Sequence, residues 1–243
     1  METRNNNLVP FLILGISLIL SIVLIVTTWK SNYSSNQTIT VTGSAKKDIT
    51  SDFGILRGSI SVEAPTAEIA YQELKRQKPI LVSYLVSNGF PEKEIELFTM
   101  NSYPIYELNA SGYQTNKVRA YNYNQRIEIK STDVNKIKNI SLEIPSLIEK
   151  GVSFSVEQPE YHYTKIADVK IEIQAEAAKD AMNRASRIAL STGRELGPMR
   201  SARMGVIQIT PRLSNQISDY GVNDLGSIEK EITAVVTASF EIE

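Results

Sequence analysis

FGILRGSISVEAPTAEIAYQELKRQKPILVSYLVSNG, residues 53–89, is the stretch whose reading decides the fold. Phe53 to Val62 has extended character, Ala64-Pro65-Thr66 ends it, and Thr66 is placed to cap a helix that begins at Ala67. Along that helix Ala70, Leu74, Leu81 and Leu85 fall on one face, and Asn88-Gly89 supplies the stop. Pro79 lies inside it, where a proline removes one backbone hydrogen bond and favours a kink.

The same alternation of strand and helix extends outward in both directions. Upstream, residues 39–43 (ITVTG) alternate apolar with polar. KKDITSD then reads as a turn, so that 39–43 and 53–62 form a first hairpin. Downstream, Glu94 to Glu107 and Arg119 to Lys130 are rich in Tyr and Ile around the polar loop LNASGYQTNKV, a second hairpin signal. Tyr121, Tyr123, Gln125, Ile127 and Ile129 alternate along one face of it. Asp133 can cap a second helix through Glu149, with Val134, Ile137, Ile140 or Ser141, Ile144 and Ile148 inward and Gly151 at its end. Pro145 either bends this helix or divides it in two.

Residues 152–163 read as a strand and 169–173 as another extended stretch. Residues 175–196 give the strongest helix, with Ala178, Ala181, Ala185, Ile188, Ala189, Thr192 and Leu196 at helical spacing. Gly193 and Gly197-Pro198 close it. A face of alanines permits a close approach to a sheet or another helix. Residues 204–211 form a further strand, 212–226 a polar loop expected to be mobile, and 228–242 a long alternating strand. In that last strand Ile232, Ala234, Val236, Ala238 and Phe240 share one side. Hairpins separated by single helices predict an α+β fold, mainly antiparallel sheet hairpins packed with long helices, preceded by one transmembrane helix.

That helix is the uncharged block from Leu8 to Trp29, LVPFLILGISLILSIVLIVTTW. About 22 helical residues reach roughly 33 Å, enough for a hydrocarbon core of about 30 Å. Trp29 followed by Lys30 fits an interfacial aromatic with a charge just outside it. A cleaved signal peptide is the rival reading. Its apolar region is usually shorter and ends at a small-x-small site, whereas VTTWKSNY carries bulky Trp29 and Tyr33. The division that follows is a short cytoplasmic tail (1–7), the anchor (8–29), a polar tether (30–38) and one large domain (39–243). The α-amine and Arg4 against Glu2 lean the amino terminus toward the cytoplasm, which places the body in the periplasm or cell exterior.

The chain has 26 Lys and Arg against 27 Asp and Glu and no cysteine. Setting aside Glu2, Arg4 and Lys30, the body carries two more acidic than basic side chains, which gives no pull toward nucleic acid. Without thiols it holds no disulfide framework and no Cys-based metal site, and it is indifferent to the redox poise of its compartment. Sequons stand at Asn32, Asn36, Asn109 and Asn139.

Taken in order, several short patterns resemble the SIMPL-domain family of envelope proteins. A V-x-G-x-G-like opening strand is matched by ITVTGSA (39–45), with Ser44 and Ala45 in place of the second glycine. A strand running into a small-Thr-Ala-x-x-A helix start is matched by SVEAPTAEIAYQEL (61–74), and L-x-x-x-G-[IF]-x-x-x-x-I-x-T by LVSNGFPEKEIELFT (85–99). Ser102, Pro104 and Tyr106 match S-x-x-P-x-Y, residues 121–133 resemble the family's next strand, and residues 176–199 its Ala-rich helix with a G-x-x-x-G end. A proline-aspartate turn usual before the second strand reads Thr50-Ser51-Asp52 here, and Pro79 and Pro145 are additions. The resemblance implies an α+β domain that assembles into symmetric rings or larger cages, loosely linked with oxidative-stress tolerance or envelope integrity. It implies no catalytic residues.

The residues themselves offer little chemistry. His162 is the only histidine, so a multi-His metal site is impossible, and an acid–base role would need Glu160 or Asp168 to orient it. No nucleophile elbow, phosphate loop, dinucleotide turn or zincin helix is present. Glu92 with Glu94 and Glu172 with Glu176 are carboxylate pairs of the kind that solvate exposed faces. Asp219 and Asn223 or Asp224 are of the right type for Ca²⁺ but fit no calcium-loop spacing. No catalytic, cofactor-binding or metal-ligating residue is therefore assigned, and no cofactor is expected. Tyrosine suits contact surfaces, and Tyr103, Tyr106, Tyr113, Tyr121 and Tyr123 crowd the second hairpin. Tyr103, Tyr106, Tyr121 and Tyr123 are the candidate self-association surface.

The leading expectation is a non-enzymatic, membrane-anchored module outside the cytoplasm. Its partners would be the membrane, through Leu8 to Trp29, and further copies of itself. A module that binds a peptide, lipid or cell-wall ligand is the alternative, and an enzyme the third reading.

Overall fold

The computed structural model describes residues 8–34 and 37–242. The proposed tail (1–7) and the Asn36 sequon lie outside the described residues, as does the side chain of Asn32. The fold is α+β, with antiparallel pairing throughout its registered strand pairs. Helix α1 spans Leu8–Ser34, and the apolar side chains between Pro10 and Trp29 are all exposed, uncovered by any protein surface. It continues past Trp29 into the stretch read as tether, and the first strand begins at Thr38.

Strands β1 (Thr38–Thr50) and β2 (Phe53–Ala64) are followed by α2 (Ala67–Ser87), β3 (Ile95–Leu108), β4 (Gln114–Ser131) and α3 (Val134–Glu143). Then come a 3-10 segment (Ile144–Lys150), β5 (Phe154–Val156), β6 (Glu160–His162), α4 (Ile166–Ser191), β7 (Leu196–Met204), β8 (Gln208–Pro211) and β9 (Glu229–Ile242). The body divides into two compact units. Among described residues one contains 37–46, 169–207 and 233–242, the other 47–168 and 208–232.

In the larger unit a sheet ordered β3-β4-β2-β5, with β6 also paired to β2, carries α2 and α3 on one face. Leu56, Ile60 and Val62 of β2 and Ile127 and Ile129 of β4 meet Ala70, Leu74, Leu81 and Leu85 of α2 and Ile137 and Ile140 of α3. Thr66 caps α2 through the amide of Ile69 and Asp133 caps α3 through that of Lys136, as the sequence predicts. The second hairpin is β3–β4.

In the other unit β1, β9 and β7 lie side by side, and α4 packs through an alanine stripe: Ala177, Ala181, Ala185 and Ala189 are buried. A Cβ at Gly43 would collide with the Ala181 amide and the Ala177 carbonyl, so glycine there sets how closely helix and strand approach. The alternation of Ile232, Ala234, Val236, Ala238 and Phe240 in β9 is as expected, all five buried.

Several expectations are corrected. The first hairpin does not form, because KKDIT continues β1 and β1 pairs with β9 rather than β2. Ser51-Asp52 links β1 to β2 and is held by remote groups: the Asp52 carboxylate accepts from the amide and hydroxyl of Thr164, both at 2.7 Å. Pro145 stands in the first turn of the 3-10 segment that succeeds α3, so it divides the helix. Three residues per turn then carry burial from Ile144 to Leu147, leaving Ile148 64% exposed.

Residues 169–173 are helical, since Val169 and Ile173 continue the four-residue spacing of the alanine stripe into the first turns of α4. Ala177 rather than Ala178 lies on that buried stripe, and Ile188 is exposed. The helix ends at Ser191, with Leu196 and Gly197-Pro198 already in β7. Residues 152–163 form two short strands rather than one, and 204–211 divides between β7 and β8.

Candidate interaction surface

Pairing of β2 with β4 ends at Ala64 opposite Tyr121, yet β3 and β4 remain paired out to Leu108 opposite Gln114. Residues 105–120 are thus a two-stranded arm beyond the third strand. Register shifts near Ile105, Tyr106 and Leu108 add local twist. Its turn is closed by Asn109, whose side-chain oxygen accepts from the amides of Ser111 and Tyr113, with Gly112 at positive φ. Leu108 and Tyr113 are 67% and 72% exposed, and β3 is a sheet edge.

The structure distributes the candidate tyrosines over both faces of this hairpin. Tyr121 and Tyr123 oppose Ala64 and Val62 and so share the face of α2. Tyr123 packs on the core and meets Tyr71 edge-on at 6.0 Å between ring centres. Tyr103 opposes Asn122, out of phase with those two, and is exposed, while Tyr106 is half-buried at a register shift. Leu108 is an exposed apolar residue of the arm that sequence reasoning passed over. The excess of β3–β4 length over β2 is the signal for it.

The sheet face away from α2 carries a row of charges across four strands. Lys130 Nζ lies 3.0 Å from Glu96 and 2.8 Å from Glu128. Arg57 Nε lies 2.6 Å from Glu128, and Arg57 Nη1 lies 2.5 Å from Glu160. His162 Nε2 stands 3.3 Å from the other oxygen of Glu160. Glu96 and Glu128 are directly opposite, a like-charge pairing that Lys130 relieves. Burial alone would raise the Glu128 pKa, but bonds from Lys130 and Arg57 outweigh it and hold the carboxyl below its usual range. The bond to Glu128 raises Arg57 correspondingly. Glu160, not Asp168, is therefore the carboxylate beside His162, and it is already engaged by Arg57. The row cross-ties β3, β4, β2 and β6.

On β9, Lys230 is buried in phase with Ile232 and Ala234. Its Nζ donates to the carbonyls of Tyr161 at 2.6 Å and Asp224 at 2.5 Å, fastening the loop after β8 to β6. Burial lowers the lysine pKa, with Asp224 pulling in the opposite direction. Asp224 Oδ1 accepts from the Gly226 amide and Oδ2 is buried without a partner. The in-phase lysine of an otherwise apolar stripe was the available signal. Nearby, an open hollow of about 460 Å³ is lined by Lys138, Tyr161, Arg212, Ser227 and Glu229. Arg212 reaches Asp48 at 3.1 Å.

Of the other candidates, Asn109 caps the arm's turn, and Asn139 is exposed on α3. Asp219 is exposed, Glu92 and Glu94 fall in a 3-10 turn, and Glu172 and Glu176 lie on the exposed side of α4. Among the described residues no three His, Asp or Glu side chains gather as metal ligands do.

A family model described as "SIMPL: Protein of unknown function (DUF541)" matches residues 39–240. No curated protein matches the chain closely enough to show a relationship.

Proposed function

The chain belongs to the SIMPL family over residues 39–240, and from that premise we propose a membrane-anchored, non-enzymatic module outside the cytoplasm. It self-associates and supports envelope integrity or tolerance of oxidative stress. One observation carries the self-association: the arm at 105–120 extends past the third strand with Leu108 and Tyr113 uncovered. A two-stranded ribbon is marginal in water, so a partner surface that covers it is stabilising. Tyr121 and Tyr123, facing α2, serve the fold of the hairpin, and Tyr103 serves the contact. The uncovered α1 supports anchoring, and confinement to a bilayer raises the effective concentration at which weak contacts assemble.

Light scattering on detergent-extracted full-length protein tests this. The wild type is expected as a multimer, and Leu108→Ser with Tyr113→Ser as a smaller species with an unchanged circular dichroism spectrum. A monomeric wild type overturns the proposal.

The hollow with Lys138 and Arg212 favours a second reading, a module that takes a ligand with an anionic group. Calorimetric titration with such candidate ligands, against Lys138→Ala, tests it.

A further inference from the structure

Ser34 ends α1 and Thr38 begins β1, so only residues 35–37 connect the anchor helix to the first sheet. Three residues span at most about 11 Å. Five helical residues beyond Trp29 add about 7 Å along the axis. With Trp29 at the interface, Gln37 is held within about 18 Å of it, and headgroups occupy the first several ångströms of that distance. Whatever adjoins Gln37 is therefore kept beside the bilayer by the covalent chain.

The neighbours of Gln37 are fixed by hydrogen bonds. Its carbonyl accepts from the Ile242 amide at 3.0 Å, and its side-chain oxygen accepts from Arg194 Nη1 at 2.9 Å. Leu196 pairs with Ile242. Helix α4 runs antiparallel to β1: the Ser44 amide donates to Asp180 at 2.9 Å, Gly43 abuts Ala177 and Ala181, and Ile39 and Val41 pack on the cluster of Ala181 and Ala185. Moving back along β1 toward the anchor thus means moving forward along α4, to its carboxyl end.

That end exposes Leu190 (65%) and Ile188 (46%) beside Arg187 and Arg194. Neither arginine has a carboxylate partner among the described residues. Glu195 offsets one of the two charges, and Arg200 is spent on Glu241.

We infer that the carboxyl end of α4 and the turn into β7, residues 187–195, form a surface that rests on the membrane. Leu190 and Ile188 enter the interfacial layer, and Arg187 and Arg194 meet the phosphates of anionic lipids. This rests on the anchored reading above, because the three-residue connection localises the surface only while α1 stays in the bilayer.

The absence of cysteine permits a direct test with the full-length chain in vesicles. Leu190→Cys and Ile171→Cys, each carrying an environment-sensitive fluorophore, lie on one helix about 28 Å apart. Ile171 is equally exposed, at 70%. The vesicles are phosphatidylcholine with a minority of phosphatidylglycerol and a headgroup-nitroxide lipid. The label at 190 is expected to be quenched several-fold more than that at 171, and to lose much of that difference in Arg187→Gln with Arg194→Gln. The only tryptophan, Trp29, reports the anchor independently through quenching by brominated acyl chains. Equal quenching at 190 and 171 with Trp29 quenched overturns the surface and spares the anchor. Unquenched Trp29 overturns both. Unchanged quenching in the double glutamine variant overturns the assignment of the arginines to lipid phosphate.

Discussion

At Gly43 a single methyl group has no room, because the three nearest atoms it would meet, the Ala181 nitrogen and Cα and the Ala177 carbonyl oxygen, belong to the backbone of α4. Backbone cannot rotate aside as a side chain can, so helix and strand must separate. Gly43→Ala is expected to cost about 1–3 kcal/mol, read as a lowered urea midpoint. Lys230 presents the opposite case, a charge kept inside by two carbonyls. Lys230→Met keeps the apolar stem but leaves both oxygens without their donor. The expected loss is about 1–3 kcal/mol, and limited proteolysis should cut faster within residues 212–226. Both positions were open to sequence reading in part. Lys230 falls on the even phase of β9, and Gly43 stands in the opening strand. The distance at which α4 passes is a property of the packed pair, invisible in either segment alone.

At the scale of elements, local chemistry was legible wherever the deciding partners were near in sequence. The Thr66 and Asp133 caps, the α2 stripe and the β3–β4 hairpin all depend on groups within a few residues or on one period. Failures occurred where distant partners decide. KKDITSD (46–52) reads as a hairpin corner, yet Ser51 and Asp52 bond to Ile228, His162 and Thr164, and β1 is taken by β9. Branched Val169 and Ile173 suggest a strand by composition, and only the continued four-residue spacing reveals α4.

The 3-10 segment supplies a sharp comparison between adjacent residues. Leu147→Ala is expected to cost about 2–5 kcal/mol because it empties part of the core. Ile148→Ala should change stability by no more than about 0.5 kcal/mol, since its side chain faces water. Thermal unfolding of the two variants checks the period. The arm was legible as tyrosine-rich sequence, while the split of its tyrosines between faces required the register with β2.

For the molecule as a whole, pH dependence follows from its paired carboxylates. Hydrogen bonds from Arg76 and then Gln77 pull Glu73 down to about 2. The amide of Ser44 and the guanidinium of Arg184 lower Asp180, and Lys130 and Arg57 lower Glu128 against its burial. Each binds its proton more weakly folded than unfolded, so each stabilises above the ordinary carboxylate range. That contribution drains away as pH falls from about 4.5 toward about 2, and the melting temperature should drop across that window. Exposure of Glu73 keeps its share small, and added salt should flatten the dependence.

The pairing of β1 with β9 has a consequence in time. Strand β1 must wait for β9 before its ladder closes, while the β2–β4 sheet can assemble from residues made in between. Through that interval β1 presents an unsatisfied strand edge, open to pairing with any newborn neighbour. The unit that holds β1, β7 and α4 is thus completed only when β9 arrives.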